Sequence, residues 1–207
     1  MQKNQHTAEN QTTPNASEPT LKALQNLFEQ FIALSEKINN RLPLIVWDEE
    51  WPSECVLADT GPDEQGNVKW HPVARPYTNL FSSLENALEF KFHPDIICFY
   101  NSFWSDGLIA SHPRGELSLI QIWNSQDEEM LKENLLGHAF AKIKNRLPIT
   151  IFIGCTSDNQ VIAIDNESGQ VVLERPGYAA HETLANNVAE FINDLTPTLK
   201  QYSESAE

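Results

Sequence analysis

The densest group of side chains that could do chemistry is the acidic stretch WDEEWPSE, residues 47–54. Its four carboxylates lie beside two tryptophans and belong to Asp48, Glu49, Glu50 and Glu54. Residues 42–68 contain seven acids and neither lysine nor arginine, so no cation nearby in the sequence compensates this charge. Such a stretch could be a solvated acidic face, a metal or acid/base site, or a docking surface for a basic partner.

Metal binding and acid/base catalysis need a more specific arrangement than this stretch provides. A calcium loop of the EF-hand type places acids at alternating positions around a central glycine, and WDEEWPSECVLA does not fit that pattern. A general acid needs a desolvated carboxyl group with a raised pKa, and Trp47 or Trp51 could supply an apolar wall for one. The spacing alone favours a docking surface.

The histidines, glycines and cysteines form no catalytic or ligand-binding motif. The histidines at 71, 93, 112, 138 and 181 lack HxH, HExxH and zinc-finger spacings. The sequence has no GxSxG motif and no glycine-rich phosphate loop. Cys55, Cys98 and Cys155 are far apart and are predicted to be buried, reduced thiols. We therefore expect no catalytic residue, no metal site and no cofactor.

The net charge of the chain excludes several classes of partner. Fourteen lysines and arginines face 29 acids, which gives −15 over 207 residues, and residues 18–200 alone carry about −13. A nucleic acid selects a basic stripe, and an anionic lipid surface attracts lysine and arginine clusters. No apolar run resembles a signal peptide or a membrane span. We therefore expect a soluble, cytoplasmic protein that binds neither nucleic acid nor lipid directly.

Apolar side chains at spacings of three and four predict four helices. These helices span residues 19–40, 79–90, 126–146 and 181–195. Ser17 is expected to cap the first helix, and Ser125 with Glu128 to form a capping box at the third. Leu131, Leu135, Ala139, Phe140 and Ile143 supply the apolar stripe of the third helix. Its Gly137 is expected to permit close packing of the helix on a sheet.

Strands and hairpins are predicted between these helices. They comprise a strand pair at 54–59 and 68–73, a strand buried on both faces at 95–101, a hairpin at 107–123, a buried strand at 149–155 and a hairpin at 160–175. Since hairpins place neighbouring strands antiparallel, the order predicts a single α+β domain, a mostly antiparallel central sheet with flanking helices. The domain is expected over 18–199, between a disordered polar extension at 1–17 and a flexible tail at 200–207.

Several long segments resemble the sequences of one known family. They are ENLLGHAFAKIKNRLPITIFIG (133–154), NESGQVVLERPG (166–177) and LANNVAEFINDLTP (184–197), preceded by SECVLA, VKWHPV, FSSLENALEFKFHPDIICFYNSFW and ELSLIQIW. In these segments the chain resembles the Syd family, the SecY-interacting proteins of Gram-negative bacteria. The resemblance covers about residues 20–199, and the polar extension 1–17 departs from it.

The resemblance implies a non-enzymatic adaptor that binds the translocon subunit SecY. It implies docking of an acidic groove on basic cytoplasmic loops of SecY, at the cytoplasmic face of the inner membrane, and a role in checking that the SecYEG translocon is properly assembled. It also implies a fold related to toxin-immunity proteins. The charge argument agrees, because cytoplasmic loops of membrane proteins carry excess lysine and arginine. Membrane association through SecY needs no direct lipid insertion.

Nine acids are the candidate partner-binding residues of this groove. They are Asp48, Glu49, Glu50, Glu54, Asp106, Glu116, Asp127, Glu128 and Glu129. Trp47, Trp51 and Trp104 are either apolar anchors of the groove or core residues. Two alternatives stay open: a toxin-immunity-type inhibitor that neutralises a basic toxin with the same acidic face, and a carboxylate-based hydrolase, which requires one carboxyl group with a strongly raised pKa inside a pocket.

Overall fold

The computed structural model describes residues 17–57 and 61–199. The helices in these ranges are α1 (Glu18–Asn39), α2 (Leu80–Leu88), α3 (Pro94–Asn101), α4 (Ser125–Lys144) and α5 (Val188–Asn193). The strands are β1 (Leu44–Val46), β2 (Asn67–Lys69), β3 (Val73–Ala74), β4 (Phe103–Trp104), β5 (Leu108–His112), β6 (Gly115–Leu119), β7 (Thr150–Thr156), β8 (Val161–Asp165), β9 (Val171–Glu174), β10 (Ala180–Ala185) and β11 (Thr196–Thr198). The predicted extension and tail lie outside the described residues, apart from Ser17.

A seven-stranded sheet with the order β10-β9-β8-β7-β6-β5-β11 forms the centre of the molecule. All of its neighbouring strands are antiparallel. Two short ribbons, β1–β2 and β3–β4, stand apart from it. The predicted α+β domain with a mostly antiparallel sheet is therefore confirmed, as are both predicted hairpins and the buried strand between them.

One apolar core joins the sheet to the helices. The buried face of α1 contributes Leu24, Leu27, Phe28 and Phe31, and α1 contacts α3, α5 and β11. Helix α4 contacts β7 and α2. Among the described residues, no helix combines the length and the apolar run that crossing a bilayer would require.

The segment 95–101 is a helix, so the prediction of a strand was wrong. Helix α3 begins at Pro94, which suits a first helical turn. The His93 ring nitrogen accepts a hydrogen bond from the Asp95 N–H at 3.2 Å and caps the helix. Most of its side chains are buried, and a short apolar run buried all round has no periodicity that separates a helix from a strand.

The predicted last helix, 181–195, is a strand followed by a short helix. Residues 180–185 form β10, an edge strand paired with β9, and α5 begins after Asn187, whose side chain accepts from the Glu190 N–H at 2.8 Å. The unpredicted β11 pairs with β5. Of the predicted strand 54–59, the structure describes residues 54–57, which form only an isolated bridge between Val56 and Trp70.

Two caps differ from the prediction. Ser17 occupies the N-cap of α1 but makes no side-chain cap; its hydroxyl donates to the Pro94 carbonyl at 3.4 Å instead. At α4 the capping pair is shifted by one residue: Asn124 accepts from the Asp127 N–H at 2.8 Å. The Asp127 carboxylate accepts from the Trp123 N–H at 2.8 Å. The expected role of Ser125 was therefore wrong.

The buried stripe of α4 also differs from the predicted one. Lys142 is buried because its ammonium group donates to the Glu174 carboxylate at 2.7 Å and to the Tyr178 carbonyl at 3.2 Å. Phe140 and Ile143, predicted to face the core, are exposed. Gly137 is exposed as well, with no atom within 4 Å of where a Cβ would stand, so it does not mark close packing.

Two of the three cysteines have the predicted environment. Cys55 and Cys98 are buried and Cys155 is exposed. Burial is the main cause that raises the pKa of both buried thiols to about 11. These two thiols are therefore protonated at neutral pH. The prediction was wrong for Cys155, since its strand β7 has one partly exposed face near its end.

Replacing the observed cap of α4 should destabilise the protein more than replacing the expected one. Asn124→Ala removes the cap and the hydrogen bond of the Asn124 amide to the Pro52 carbonyl at 2.8 Å. We expect a loss of about 1–2 kcal/mol in the free energy of unfolding in urea. Ser125→Ala should change it by less than about 0.5 kcal/mol. A larger loss for Ser125→Ala than for Asn124→Ala would contradict the observed cap.

Candidate functional site

Two cavities adjoin beside the β1–β2 ribbon, and together they form what we call the groove. The larger, the outer cavity, has a volume of about 720 Å³ and is lined in part by Phe31, Arg41 and Asp63. The smaller, the tryptophan cavity, has a volume of about 370 Å³ and is lined in part by Trp47 and Trp51. Asp106 lines both cavities, so the two share a border at this side chain.

Three of the nine candidate acids line the tryptophan cavity: Asp48, Asp106 and Asp127. Each comes from a different element. Asp48 follows β1 in a turn in which its carboxylate accepts from the Glu50 N–H at 2.9 Å. Asp106 precedes β5 and accepts from the Gly107 N–H at 2.8 Å. Asp127 lies in the first turn of α4. The fold therefore brings together acids that are up to 79 positions apart in the sequence.

Asp127 is half-buried, as is Asp106, whereas Asp48 is exposed. Burial raises the pKa of Asp127, and the negative charge of Asp106 raises it further. The hydrogen bond from the Trp123 N–H acts in the opposite direction. The carboxylates of Asp106 and Asp127 therefore lie close enough to repel each other at the N-terminal end of α4.

The two tryptophans of the acidic stretch form walls of this cavity. Trp51 is half-buried and packs against the core, and its carbonyl accepts from the Trp123 indole N–H at 3.3 Å. Trp47 is also half-buried, and its backbone N–H donates to the Gly66 carbonyl at 2.8 Å. Trp104 is buried in the core at 6% exposure. Whether a tryptophan is an apolar anchor of the groove or a core residue is therefore decided only for Trp104, which is a core residue.

The other candidate acids lie outside both cavities. Glu49, Glu50 and Glu54 are exposed in the same loop as Asp48. Glu116 stands opposite Ser111 near the turn of the β5–β6 hairpin, at the other end of β5 from Asp106. Glu129 is exposed and pairs with Lys132 at 3.4 Å.

Glu128 takes part in a buried ion pair and does not line the groove, although it directly follows the groove residue Asp127. Its carboxylate forms an ion pair with the fully buried Arg75 guanidinium and accepts from the Thr78 hydroxyl at 2.9 Å. The guanidinium of Arg75 also lies 3.9 Å from the centre of the Trp104 ring. This arrangement links α4 to the segment that follows β3.

Sequence reasoning missed several residues that shape the groove. Val46 is 62% exposed at the edge of the tryptophan cavity, and Arg41 and Asp63 line the outer cavity. The usable signal was the apolar run LIV directly before the acidic stretch. The described residues contain no group of three histidine, cysteine or carboxylate side chains that could hold a metal ion.

The fold and the groove define this chain as an acidic α+β domain with an aromatic-lined surface groove. A family model described as "Syd protein (SUKH-2)" matches residues 21–197. The chain is 42% identical over 184 residues to Protein Syd of Hahella chejuensis, which covers 87% of this chain and 95% of that protein. It is 41% identical over 155 residues to Protein Syd of Pseudoalteromonas atlantica, with 74% and 83% covered.

A third relative, Protein Syd of Pseudoalteromonas translucida, is 34% identical over 173 residues, with 83% of this chain and 96% of that protein covered. The chain therefore belongs to the Syd family, and the resemblance in the sequence is confirmed. None of these descriptions names an enzyme activity.

Neutralising Asp127 should stabilise the protein in a pH-dependent manner. Because the pKa of Asp127 is raised in the folded state, the native protein binds more protons than the unfolded chain between the two pKa values. Stability falls as the pH rises through that window, and the full loss is present above it. Asp127→Asn removes this loss. We expect a higher melting temperature for the variant at pH 7, and a difference that shrinks as the pH approaches 4.

The control for that measurement is Glu133→Gln, which removes one exposed charge from the same helix. It should leave the pH dependence of the melting temperature unchanged. A lower melting temperature of Asp127→Asn at pH 7 would mean that hydrogen bonding of the carboxylate outweighs its burial.

Neutralising Glu128 should have the opposite effect on stability. Glu128→Gln leaves the buried Arg75 guanidinium without its counter-charge, and breaking a buried pair in this way costs about 3 kcal/mol or more. Glu129→Gln, at an exposed pair, should cost less than about 1 kcal/mol. Urea unfolding of both variants measures the difference, and equal losses would contradict a structural role for Glu128.

Proposed function

We propose that this protein is a non-enzymatic adaptor that binds basic cytoplasmic loops of SecY through the acidic groove. In this proposal it is a peripheral protein on the cytoplasmic side of the inner membrane, held there by SecY and not by lipid. The observation that carries the proposal is the grouping of Asp48, Asp106 and Asp127 with two half-exposed tryptophans in one cavity. Membership of the Syd family supports it.

The charge distribution favours a basic partner. Within the part of the chain that the structure describes, no lysine or arginine lines the tryptophan cavity. The whole chain carries −15, so a basic loop approaching from solution meets attraction from the body of the protein as well as from the groove. Such complementary charge raises the association rate and makes binding sensitive to salt.

The tryptophans add an apolar contribution to the binding affinity that charge alone does not provide. One exposed ion pair contributes about 0.2–1 kcal/mol, so three aspartates at a solvated surface give modest affinity. Buried aromatic side chains dominate the energetics of many interfaces. Trp47 and Trp51 are half-buried before any partner binds, and covering the rest of their surface would add an apolar contribution.

Recognition of loops also suits a role in checking translocon assembly, which we include in the proposal. A loop whose basic side chains are already engaged within a properly assembled SecYEG complex offers fewer contacts to the groove than a free loop. The groove would then discriminate by accessibility, without catalysis and without a cofactor.

Reversing the charge of the acidic loop should weaken binding to SecY. The triple variant Asp48→Lys, Glu49→Lys and Glu54→Lys changes exposed side chains, so the fold should be retained. We expect at least a tenfold loss of binding to inner-membrane vesicles that contain SecY at low salt, and a weaker salt dependence of what remains. Co-sedimentation with the vesicles over a salt series measures both quantities.

The matched control reverses three exposed acids elsewhere: Glu29 in α1, Glu133 in α4 and Glu167 in the β8–β9 turn. It changes the net charge equally and should retain most of the binding. Unchanged binding of the first variant would refute the proposed site. An equal loss for both variants would show that overall charge, and not the groove, determines binding.

A further inference from the structure

We propose that the tryptophan cavity is a pocket for an arginine side chain, and that it selects arginine over lysine in the basic segment that occupies the groove. The inference rests on the proposed function and deepens it, because it names the side chain that the groove binds.

The size and the walls of the cavity suit a flat side chain with an apolar stem. Its volume of about 370 Å³ lies at the lower end of the range of small-ligand pockets, so it accommodates a side chain but not a folded element. Besides the tryptophans, its lining includes the apolar side chains of Ile45, Val46, Val56 and Val68. The methylene stem of a long cation can pack against such a wall.

The polar groups of the cavity are acceptors for a cation. Asp48, Asp106 and Asp127 lie on its border. One oxygen of Asp127 accepts from the Trp123 N–H, and the other accepts no hydrogen bond from the described residues. The proximity of Asp106 disfavours the charged form of Asp127, and a bound cation would relieve that repulsion.

Arginine fits these groups better than lysine for two physical reasons. A guanidinium is planar and stacks on an indole face, where cation–π attraction is strongest. It is also more weakly hydrated than an ammonium group and presents several donors in one plane. A pocket with indole walls and with carboxylates from separate elements binds a side chain that has both properties more tightly. An ammonium group loses more hydration when it enters such a pocket.

The chain itself contains a buried arginine held by the same two kinds of group. The Arg75 guanidinium lies over the Trp104 ring with 3.9 Å between its central carbon and the ring centre, it pairs with Glu128, and it donates to the Tyr100 carbonyl at 3.0 Å. An indole face and a carboxylate therefore already hold a buried arginine in this fold. Glu128 directly follows Asp127, so the Arg75 site and the tryptophan cavity use adjacent residues of α4.

The test compares two probes that differ in one side chain, acetyl-Gly-Arg-Gly-amide and acetyl-Gly-Lys-Gly-amide. Each is titrated into the full-length, ¹⁵N-labelled protein at fixed ionic strength, and the indole N–H signals are followed after assignment by single Trp→Phe substitutions. We expect the arginine probe to shift the signals of Trp47 and Trp51 and not that of Trp104. Its dissociation constant should be about two- to fivefold lower than that of the lysine probe, the range that a difference of one cation–π contact at a partly exposed site corresponds to.

Two variants test the contribution of the carboxylates to the preference. Asp127→Asn should reduce it, because the planar donors of the guanidinium lose one acceptor, while Glu133→Gln, on the same helix outside the cavity, should leave it intact. Equal affinity for the two probes, a preference that Asp127→Asn leaves unchanged, or no shift of the Trp47 and Trp51 signals would each overturn the inference.

The outcome also separates this inference from the proposed function. If binding to SecY depends on the acidic loop while the two probes bind equally, the arginine pocket is refuted and the adaptor function stands. If the probes are discriminated while charge reversal leaves SecY binding unchanged, the pocket stands and SecY is not its partner.

Discussion

Three hydrogen bonds between the acidic loop and the start of α4 create the groove. The Ser53 hydroxyl donates to the Trp123 carbonyl at 2.5 Å, the Trp123 indole donates to the Trp51 carbonyl, and the Asn124 amide donates to the Pro52 carbonyl. These contacts join segments about 70 residues apart. Together with the packing of Trp51 against the core, they fix the position of the acidic stretch relative to Asp127.

Asn124 and Asp127 therefore contribute both to the fold and to the groove. Asn124 caps α4 and holds the loop, and Asp127 accepts the Trp123 N–H while it contributes charge to the cavity. A carboxylate at a helix N-terminus is stabilised by the helix dipole, which lets the chain place negative charge in a half-buried position. In the proposed docking, a cation from the partner would offset the remaining cost of burial.

The neighbouring acids of α4 show how little the sequence position of a charge says about its role. Asp127 lines the cavity, Glu128 pairs with a buried arginine and Glu129 is exposed. In the sequence all three suited the positive end of a helix equally. Which of them faces the groove depends on how the helix is rotated, and that rotation follows from packing and from Lys142, whose burial no periodicity indicates.

Elements with a long apolar period or a clear turn could be predicted from the sequence. Helix α1 and the hairpins β5–β6 and β8–β9 are of this kind. Helix α3 and strand β10 could not, because the first is buried all round and the second is an edge strand whose pattern resembles the first turn of a helix. For the site, the acidic loop could be identified from its charge, but its partners Asp106 and Asp127 are brought to it only by tertiary contacts.

Photo-cross-linking from inside the groove tests the proposed binding of SecY most directly. A photoreactive amino acid in place of Trp47, within the tryptophan cavity, is compared with the same amino acid in place of Glu167 on the β8–β9 turn. Irradiation with SecY-containing membranes should give a covalent adduct of SecY, through a cytoplasmic loop, from position 47 and not from position 167. An adduct from position 167 alone, or none from position 47 under conditions in which the protein binds the membranes, would contradict docking through the groove.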